Sequence, residues 1–221
     1  MKILVINPIG DDSWDESDKI FYKRNACPTT EIDVISLKSG PPSVETINDL
    51  RAVEPLVKEL ALQRYKEYDG LIVNCFLDPS VKELKKLLDR PVVGPGEASL
   101  AFGSIFGGKL GIISIRSEAL DLMRLNAEKL GYGGRVVSIR GIKVGVVDLR
   151  NNWERVKSEL KEEAGKAVSE GAEVIILGCT GLAGLSNIVS KAVNRPVIDP
   201  AVAALKMVES LVSLGLRKGD V

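Results

Sequence analysis

A parallel α/β architecture in two lobes is the fold predicted for this chain of 221 residues, and three observations predict it. Short apolar runs alternate with stretches of helical periodicity along the whole length, which is the pattern of a parallel sheet with helices on both faces. The pattern occurs twice. Tyr68–Phe76 (YDGLIVNCF) is echoed by Gly171–Gly181 (GAEVIILGCTG), Arg90–Pro95 (RPVVGP) by Arg195–Pro200 (RPVIDP), and Lys2–Asn7 (KILVIN) by Lys109–Ile115 (KLGIISI). These landmarks recur at an offset of 104 to 107 residues, about half the chain. The expectation is therefore two pseudo-symmetric lobes, residues 1–107 and 108–221, joined at the short Gly107-Gly108 junction. Each lobe is a parallel sheet of about four strands, the C-terminal helix is able to pack across, and the site lies in the cleft between the lobes.

In the first lobe, Lys2–Asn7 is an apolar run ending at Asn-Pro and reads as a buried strand. Trp14–Arg24 reads as a short helix and Glu31–Ser36 as a second strand. Ser39–Ser43 (SGPPS) is a loop by its Gly and Pro content. Thr46–Tyr65 has helical spacing, with Pro55 opening a second helix. Gly70–Val73 is a strand, and Asp78-Pro79 is the start of a helix running to about Leu88, Asp78 as cap and Pro79 at the first helical position. Pro91–Val93 is a strand and Glu97–Phe106 a helix. The second lobe repeats the order: strand Gly111–Ser114, helix Ser117–Leu130 stopped by Gly131, strand Val136–Ile139, and amphipathic helix Trp153–Glu170 stopped by Gly171. Strand Val174–Leu177, helix Leu182–Val193, strand Pro196–Ile198 and a last helix from about Ala201 to Leu214 follow.

Composition narrows the function classes. Thirty basic and thirty acidic residues give no net charge, so nothing favours nucleic acid or an anionic membrane. No apolar run approaches the roughly 18 residues needed to cross a bilayer, and the N-terminus enters a strand without a signal-peptide layout. A cytoplasmic protein is the default expectation. Three widely spaced cysteines without a CxxC form neither a disulfide framework nor a zinc site. There is no histidine, so proton chemistry falls to Cys, Asp, Glu, Lys or Tyr. No GxGxxG follows the first strand and no Walker sequence is present, leaving nucleotide binding without support.

In open parallel sheets, ligands bind beyond the carboxyl ends of the strands. Four such ends carry suggestive residues: Asn7-Pro8, Cys75-Phe76, Ser114 through Ser117 with Arg116 as a cation, and Cys179-Thr180-Gly181. Each thiol of the Cys75 and Cys179 pair lies just upstream of a helix start, where unpaired amides and the helix dipole stabilise a thiolate and can hold an oxyanion. A lone cysteine at a strand end is as readily a small buried hydrophobe. Two at equivalent places in a repeated chain point to function. Cys27 has no counterpart in the repeat and reads as a loop or packing cysteine. Asn7 is placed to donate to a substrate carbonyl, although Asn before Pro is also an ordinary turn former. Ser43 in SGPPSVE reads as an N-cap, with a ligand contact as the sharper alternative.

On KILVINP, SGPPSVE, YDGLIVNCFLDPSVKEL, RPVVGPGEA, VIILGCTGL and RPVIDPAVAALK, nearly the whole chain resembles the aspartate/glutamate/hydantoin racemase superfamily, and within it the hydantoin racemases. The paired cysteine segments are the specific part. The resemblance implies two α/β lobes related by a pseudo-twofold axis. It implies a cofactor-independent racemase that interconverts D- and L-5-substituted hydantoins by two-base proton transfer, with Cys75 and Cys179 catalytic and no metal. It further implies that Asn7, Phe76, Thr180 and Gly181, and the loop of Ser43, contact a hydantoin-like substrate; Ser114 joins them by its place at a strand end. The chain departs from the usual Asn-Pro-Asn-Thr, reading Asn7-Pro8-Ile9-Gly10, and has Ser114-Ile115-Arg116-Ser117 where a Thr-rich turn is common. Racemisation of aspartate, glutamate or allantoin is the near alternative. Maleate isomerase or arylmalonate decarboxylase chemistry is a further one, disfavoured by the retention of both cysteines. A binding protein with structural or redox-sensitive thiols is the non-enzymatic alternative. A homo-oligomer is expected on general grounds.

Overall fold

The computed structural model describes residues 1–115 and 119–216. In chain order the first elements are β1 (Lys2–Asn7), α1 (Asp15–Asn25), β2 (Glu31–Ser36), α2 (Ile47–Arg64), β3 (Gly70–Val73), α3 (Val81–Leu87), β4 (Val92–Val93) and α4 (Pro95–Phe106). They are followed by β5 (Leu110–Ser114), α5 (Leu120–Lys129), β6 (Val136–Gly141), α6 (Trp153–Ser169), β7 (Val174–Leu177), α7 (Ser186–Val193), β8 (Val197–Ile198) and α8 (Pro200–Ser213). Two four-stranded sheets form, ordered β2-β1-β3-β4 and β6-β5-β7-β8, with every pairing parallel. The two orders are the same, and the registers match too: Ile3 pairs Gly70 as Leu110 pairs Val174.

The apolar runs decide which strands are central. Every residue of β3, β5 and β7 is buried. Successive side chains of a strand point to opposite faces, so full burial means that both faces are covered. In the first sheet one cover is α2, whose Val53, Val57 and Ala61 recur at intervals of four on one face and pack with Leu4, Ile6, Leu71 and Val73. Each fully buried aliphatic side chain stabilises the fold by about 1.5–3 kcal/mol. In the second sheet α6 buries Val156, Leu160, Ala164 and Ala167. Gly171 (φ 97°) and Gly131 (φ 84°) end α6 and α5 in left-handed conformations. The amides of Ala172 and Tyr132 reach back to the carbonyls of Ala167 and Ala127 at 3.0 and 2.8 Å, which closes each helix as the glycines predict.

Several expectations are corrected. Pro55 lies inside one continuous α2 rather than opening a second helix. Its ring and Arg51, whose carbonyl loses the helical bond, are both exposed, so water can satisfy the freed oxygen. Asp78 is not the cap of α3. It has φ 53°, and α3 begins at Val81 after Ser80 at φ 59°. The helix expected over Leu182–Val193 is split, a 3-10 turn at Thr180–Leu182 preceding α7, with Gly184 at φ 87° between them. The expected start of α5 at Ser117 lies outside the described residues.

By contact the chain divides into two compact units. One is Met1–Val44 with Asn48–Pro95 and the chain from Ala201; the other is Glu45–Ile47 with Gly96–Pro200. The division therefore falls just after β4 and again after β8, not at Gly107-Gly108. The physical reason is an exchange of helices. A Cβ at Gly103 of α4 would lie 2.9 Å from Leu110 Cδ2 of β5, and one at Gly70 of β3 would lie 2.7 Å from Val208 Cγ2 of α8. Each sheet is thus covered by the helix that follows the last strand of the other.

α8 is also tied down by charge. Glu209, only 3% exposed, accepts from the Cys27 amide (2.7 Å), Thr30 Oγ1 (2.7 Å) and Lys206 Nζ (2.9 Å). Burial alone would raise its pKa, but these donors outweigh it and hold the carboxyl below its ordinary range. A lowered carboxylate pKa gives stability that is complete above the unfolded value, near about 4.3, and is lost as pH falls through the folded value. Glu209→Gln is accordingly expected to cost about 1–3 kcal/mol at pH 7. The gap from wild type should shrink as the medium is acidified below the ordinary carboxylate range, as read from urea midpoints; a gap independent of pH would show that the charge does not act.

Candidate active site

Both cysteines of the repeat occupy one station in the backbone. β3 ends at Val73, yet the Asn74 amide still donates to the Ile6 carbonyl of β1 at 2.8 Å. β7 ends at Leu177, and the Gly178 amide donates to Ile113 of β5, also at 2.8 Å. The next residue in each case is the cysteine. Each cysteine then heads a turn that closes on its own carbonyl, from the Asp78 amide at 3.0 Å and from the Leu182 amide at 3.1 Å. Neither thiol is in a disulfide, and both are half-buried. The amides of Phe76 and Leu77, and those of Thr180 and Gly181, lie ahead of the first bond of their turns.

The first unit holds its station with a buried polar cluster. Asn74 Nδ2 donates to Asn7 Oδ1 (2.7 Å) and to Asp18 Oδ2 (3.3 Å), and Tyr22 Oη donates to Asn74 Oδ1 (2.9 Å). Asn7 Nδ2 donates to Asp15 Oδ1 (2.9 Å) and Asp18 Oδ2 (3.0 Å). Asn7, expected to contact substrate, has its two N–H groups on these carboxylates and is 3% exposed. The loop past Cys75 is strained. Asp78 and Ser80, neither of them glycine, both have positive φ. Ser80 Oγ, donating to the Glu54 carbonyl at 2.7 Å, anchors it to α2. A Cβ at Gly94 would lie 2.1 Å from Asp78 Oδ1, so only glycine at the end of β4 leaves room for that carboxylate. Phe76 is buried. Ser43 is half-buried and lies outside the first turn of α2, which begins at Ile47. Its loop is knit to the end of β1 by Gly10 N to Pro41 O at 3.0 Å.

In the second unit Ser114 plays a part that the sequence did not disclose. It is fully buried, and its Oγ donates to the Gly178 carbonyl at 2.9 Å, so it braces the residue before Cys179. Gly178 in turn has no room for a side chain. Gly181 approaches the thiol closely: a Cβ there would lie 3.5 Å from Cys179 Sγ and 2.8 Å from Leu149 Cδ1. Thr180 is half-buried within the same turn. Asp199, at the end of β8, accepts from the Gly184 amide at 2.6 Å and steadies the chain beyond the turn. Arg116 lies outside the described residues. Asp15, Asp18, Tyr22 and Asn74 were missed from sequence; the signal available was the polar face of α1, with residues 15, 18 and 22 at helical spacing. Cys27 stands apart from this site, against Glu209 and Lys206. Among the described residues, no group of three or more Cys, Asp or Glu is arranged to hold a metal ion.

Residues 3–208 match the family described as Asp/Glu/Hydantoin racemase. The chain is 34% identical over 220 residues to a hydantoin racemase of Paenarthrobacter aurescens, covering 98% of this chain and 93% of that one. It is 30% identical over 219 residues to a hydantoin racemase of Pseudomonas sp. (strain NS671), covering 98% and 88%. Among solved structures it is similar to allantoin racemase from Klebsiella pneumoniae, with a TM-score of 0.92 and 28% identity over 99% of this chain and 90% of that one.

The packing at Gly178 yields a direct test. A methyl group there would sit 2.8 Å from Ser114 Cβ and 2.9 Å from Ile112 Cγ2, neither of which can swing away. Gly178→Ala should cost about 1–3 kcal/mol by overpacking and displace the Cys179 turn. Thermal melting is the measurement; an unchanged midpoint would count against the tight seating described here.

Proposed function

The chain belongs to the Asp/Glu/hydantoin racemase family and is an isomerase of the racemase class, and from that premise we propose that it interconverts the enantiomers of 5-substituted hydantoins without a cofactor. The observation that carries this reading is the equivalence of Cys75 and Cys179, each heading a turn one residue past the last backbone bond to a central strand. The hydantoin racemases of Paenarthrobacter aurescens and Pseudomonas sp. support the substrate class.

In the proposed reaction one thiolate removes the proton from ring carbon 5, and the electron pair moves onto the adjacent carbonyl as an enolate. The other cysteine, as thiol, donates a proton to the opposite face and becomes the thiolate. Substrate and product differ only in configuration, so the enzyme ends with the roles of the two sulfurs exchanged. The turn amides of Phe76, Thr180 and Gly181 hold the developing oxyanion, and Ser43 contributes to substrate binding. A hydantoin suits this machinery because its carbon lies between a carbonyl and an acylated nitrogen, which makes the proton far more acidic than that of an amino acid carboxylate. The apolar Phe and Leu beside Cys75 and the Gly beside Cys179 suit a neutral ring, whereas aspartate or glutamate would call for fixed cations. Allantoin carries the same ring, and the likeness to the Klebsiella allantoin racemase favours including it as a second substrate. A cytoplasmic homo-oligomer completes the reading.

Incubation of one enantiomer of a 5-substituted hydantoin in deuterated water, with an enzyme-free control, is the decisive experiment. Loss of optical rotation should bring deuterium into the inverted product. Cys75→Ser and Cys179→Ser should each lower the rate by about 10²–10⁴-fold, the usual contribution of a positioned acid or base. Full activity in either variant, or inversion without deuterium uptake, overturns the two-base proposal. Turnover of aspartate or glutamate in place of hydantoins overturns the substrate class.

A further inference from the structure

We propose that Asn74 is a positioning residue for Cys75, held by a buried wedge of α1 side chains whose counterpart in the second half of the chain is built from a hydroxyl and a glycine. The inference rests on the racemase reading for its consequence in catalysis, but its geometry stands independently. By the offset of the repeat, Asn7 corresponds to Ser114 and Asn74 to Gly178. In the second unit the residue before the cysteine is braced through its backbone alone, by Ser114 Oγ on the Gly178 carbonyl. In the first unit the brace is a side chain with bonds on both of its ends.

Asn74 is 8% exposed and Tyr22 1% exposed, so these bonds are sheltered from water. The carboxamide of Asn74 has one productive orientation. Its oxygen accepts from Tyr22 Oη, and its nitrogen donates to Asn7 Oδ1 and Asp18 Oδ2. A flip would set its oxygen against two acceptors. The acceptors are fixed in their turn. Asp18 also receives Asn7 Nδ2, and Asp15 receives Asn7 Nδ2 together with the amide and hydroxyl of Ser36 at 3.0 and 2.6 Å. One face of α1 is thereby bonded to the ends of β1, β2 and β3 at once. The Asn74 backbone amide is held on Ile6, so the peptide leading into Cys75 is fixed at both backbone and side chain. A near-attack geometry tolerates little displacement of the reacting group. The two thiols thus have different supports under the same backbone, and the wedge serves Cys75 alone.

The test compares Asn74→Ala, Tyr22→Phe and Asp18→Asn, with folding checked by thermal melting. Alkylation by iodoacetamide at fixed pH is followed for each cysteine separately by peptide mass spectrometry, and kcat and KM are measured on a 5-substituted hydantoin. Every variant that folds is expected to change the alkylation rate of Cys75 by threefold or more, leave that of Cys179 within error, and lower kcat more than it raises KM. Tyr22→Phe removes one bond without opening a cavity, so it decides the matter if Asn74→Ala does not fold. Parallel changes at both cysteines, or an unchanged Cys75 in Tyr22→Phe, overturn the proposal. Alkylation needs no turnover, so a wild-type protein that fails to exchange a hydantoin proton defeats the racemase reading while leaving this readout intact.

Discussion

The bond from the Asn74 amide to Ile6, repeated from Gly178 to Ile113, is the constraint on which the site depends. Each is the last rung of a parallel ladder, made by a residue already outside its strand. It carries the chain to the carboxyl edge of the sheet in register with the central strand and then releases it into a turn. Because the strands beneath are buried on both faces, the rung cannot be exchanged for water, and losing such a bond would cost about 1–3 kcal/mol. The cysteines take their backbone position from this rung. That is why two segments differing in most side chains, NCFLD and GCTGL, present a thiol at the same backbone station.

Behind the common backbone the two units reach the same end by different side chains. A carboxylate links the loop past each cysteine to the end of the fourth strand, but it comes from opposite partners. In the first unit Asp78 belongs to the cysteine's turn and fills the space above Gly94. In the second, Asp199 belongs to the strand end and reaches the amide of Gly184. The residue before each cysteine shows the same substitution of means, a charged cluster against Asn74 and a single hydroxyl against Gly178. A repeat preserves backbone hydrogen bonding more strictly than side-chain identity, because the ladder has one geometry and a brace can be built in several ways.

The strands and their order of occurrence were legible because an apolar run bounded by Asn-Pro, Asp or Gly admits few other readings; Lys2–Asn7, Glu31–Ser36, Gly70–Val73 and Val174–Leu177 begin and end where their patterns do. The cysteine stations were legible through the repeat. What was not legible depends on partners distant in sequence. The bonds of Asn7 to Asp15 and Asp18 of α1, and of Ser114 to the Gly178 carbonyl beyond β7, are of this kind. Asp78-Pro79 has the composition of a helix start, yet positive φ at Asp78 and Ser80 is imposed by the turn on Cys75 and by the anchor on Glu54. The division by contact falls elsewhere than the midpoint of the repeat. Gly107-Gly108 marks the middle of the repeat, but helix membership is decided by which sheet lacks a cover.

A chain without histidine that moves protons must draw on groups whose pKa can be brought to neutrality, and a thiol near about 8.5 needs the smallest adjustment. In a two-thiol racemase each turnover leaves the protein in the opposite protonation state, so the two states must be close in energy or one direction would stall. Matched turns, each closing on the cysteine's own carbonyl, give the two thiols the same backbone setting. The braces behind the two turns are unlike. Carboxylates of α1 gather about the residue before Cys75, while the residue before Cys179 is braced by a neutral hydroxyl.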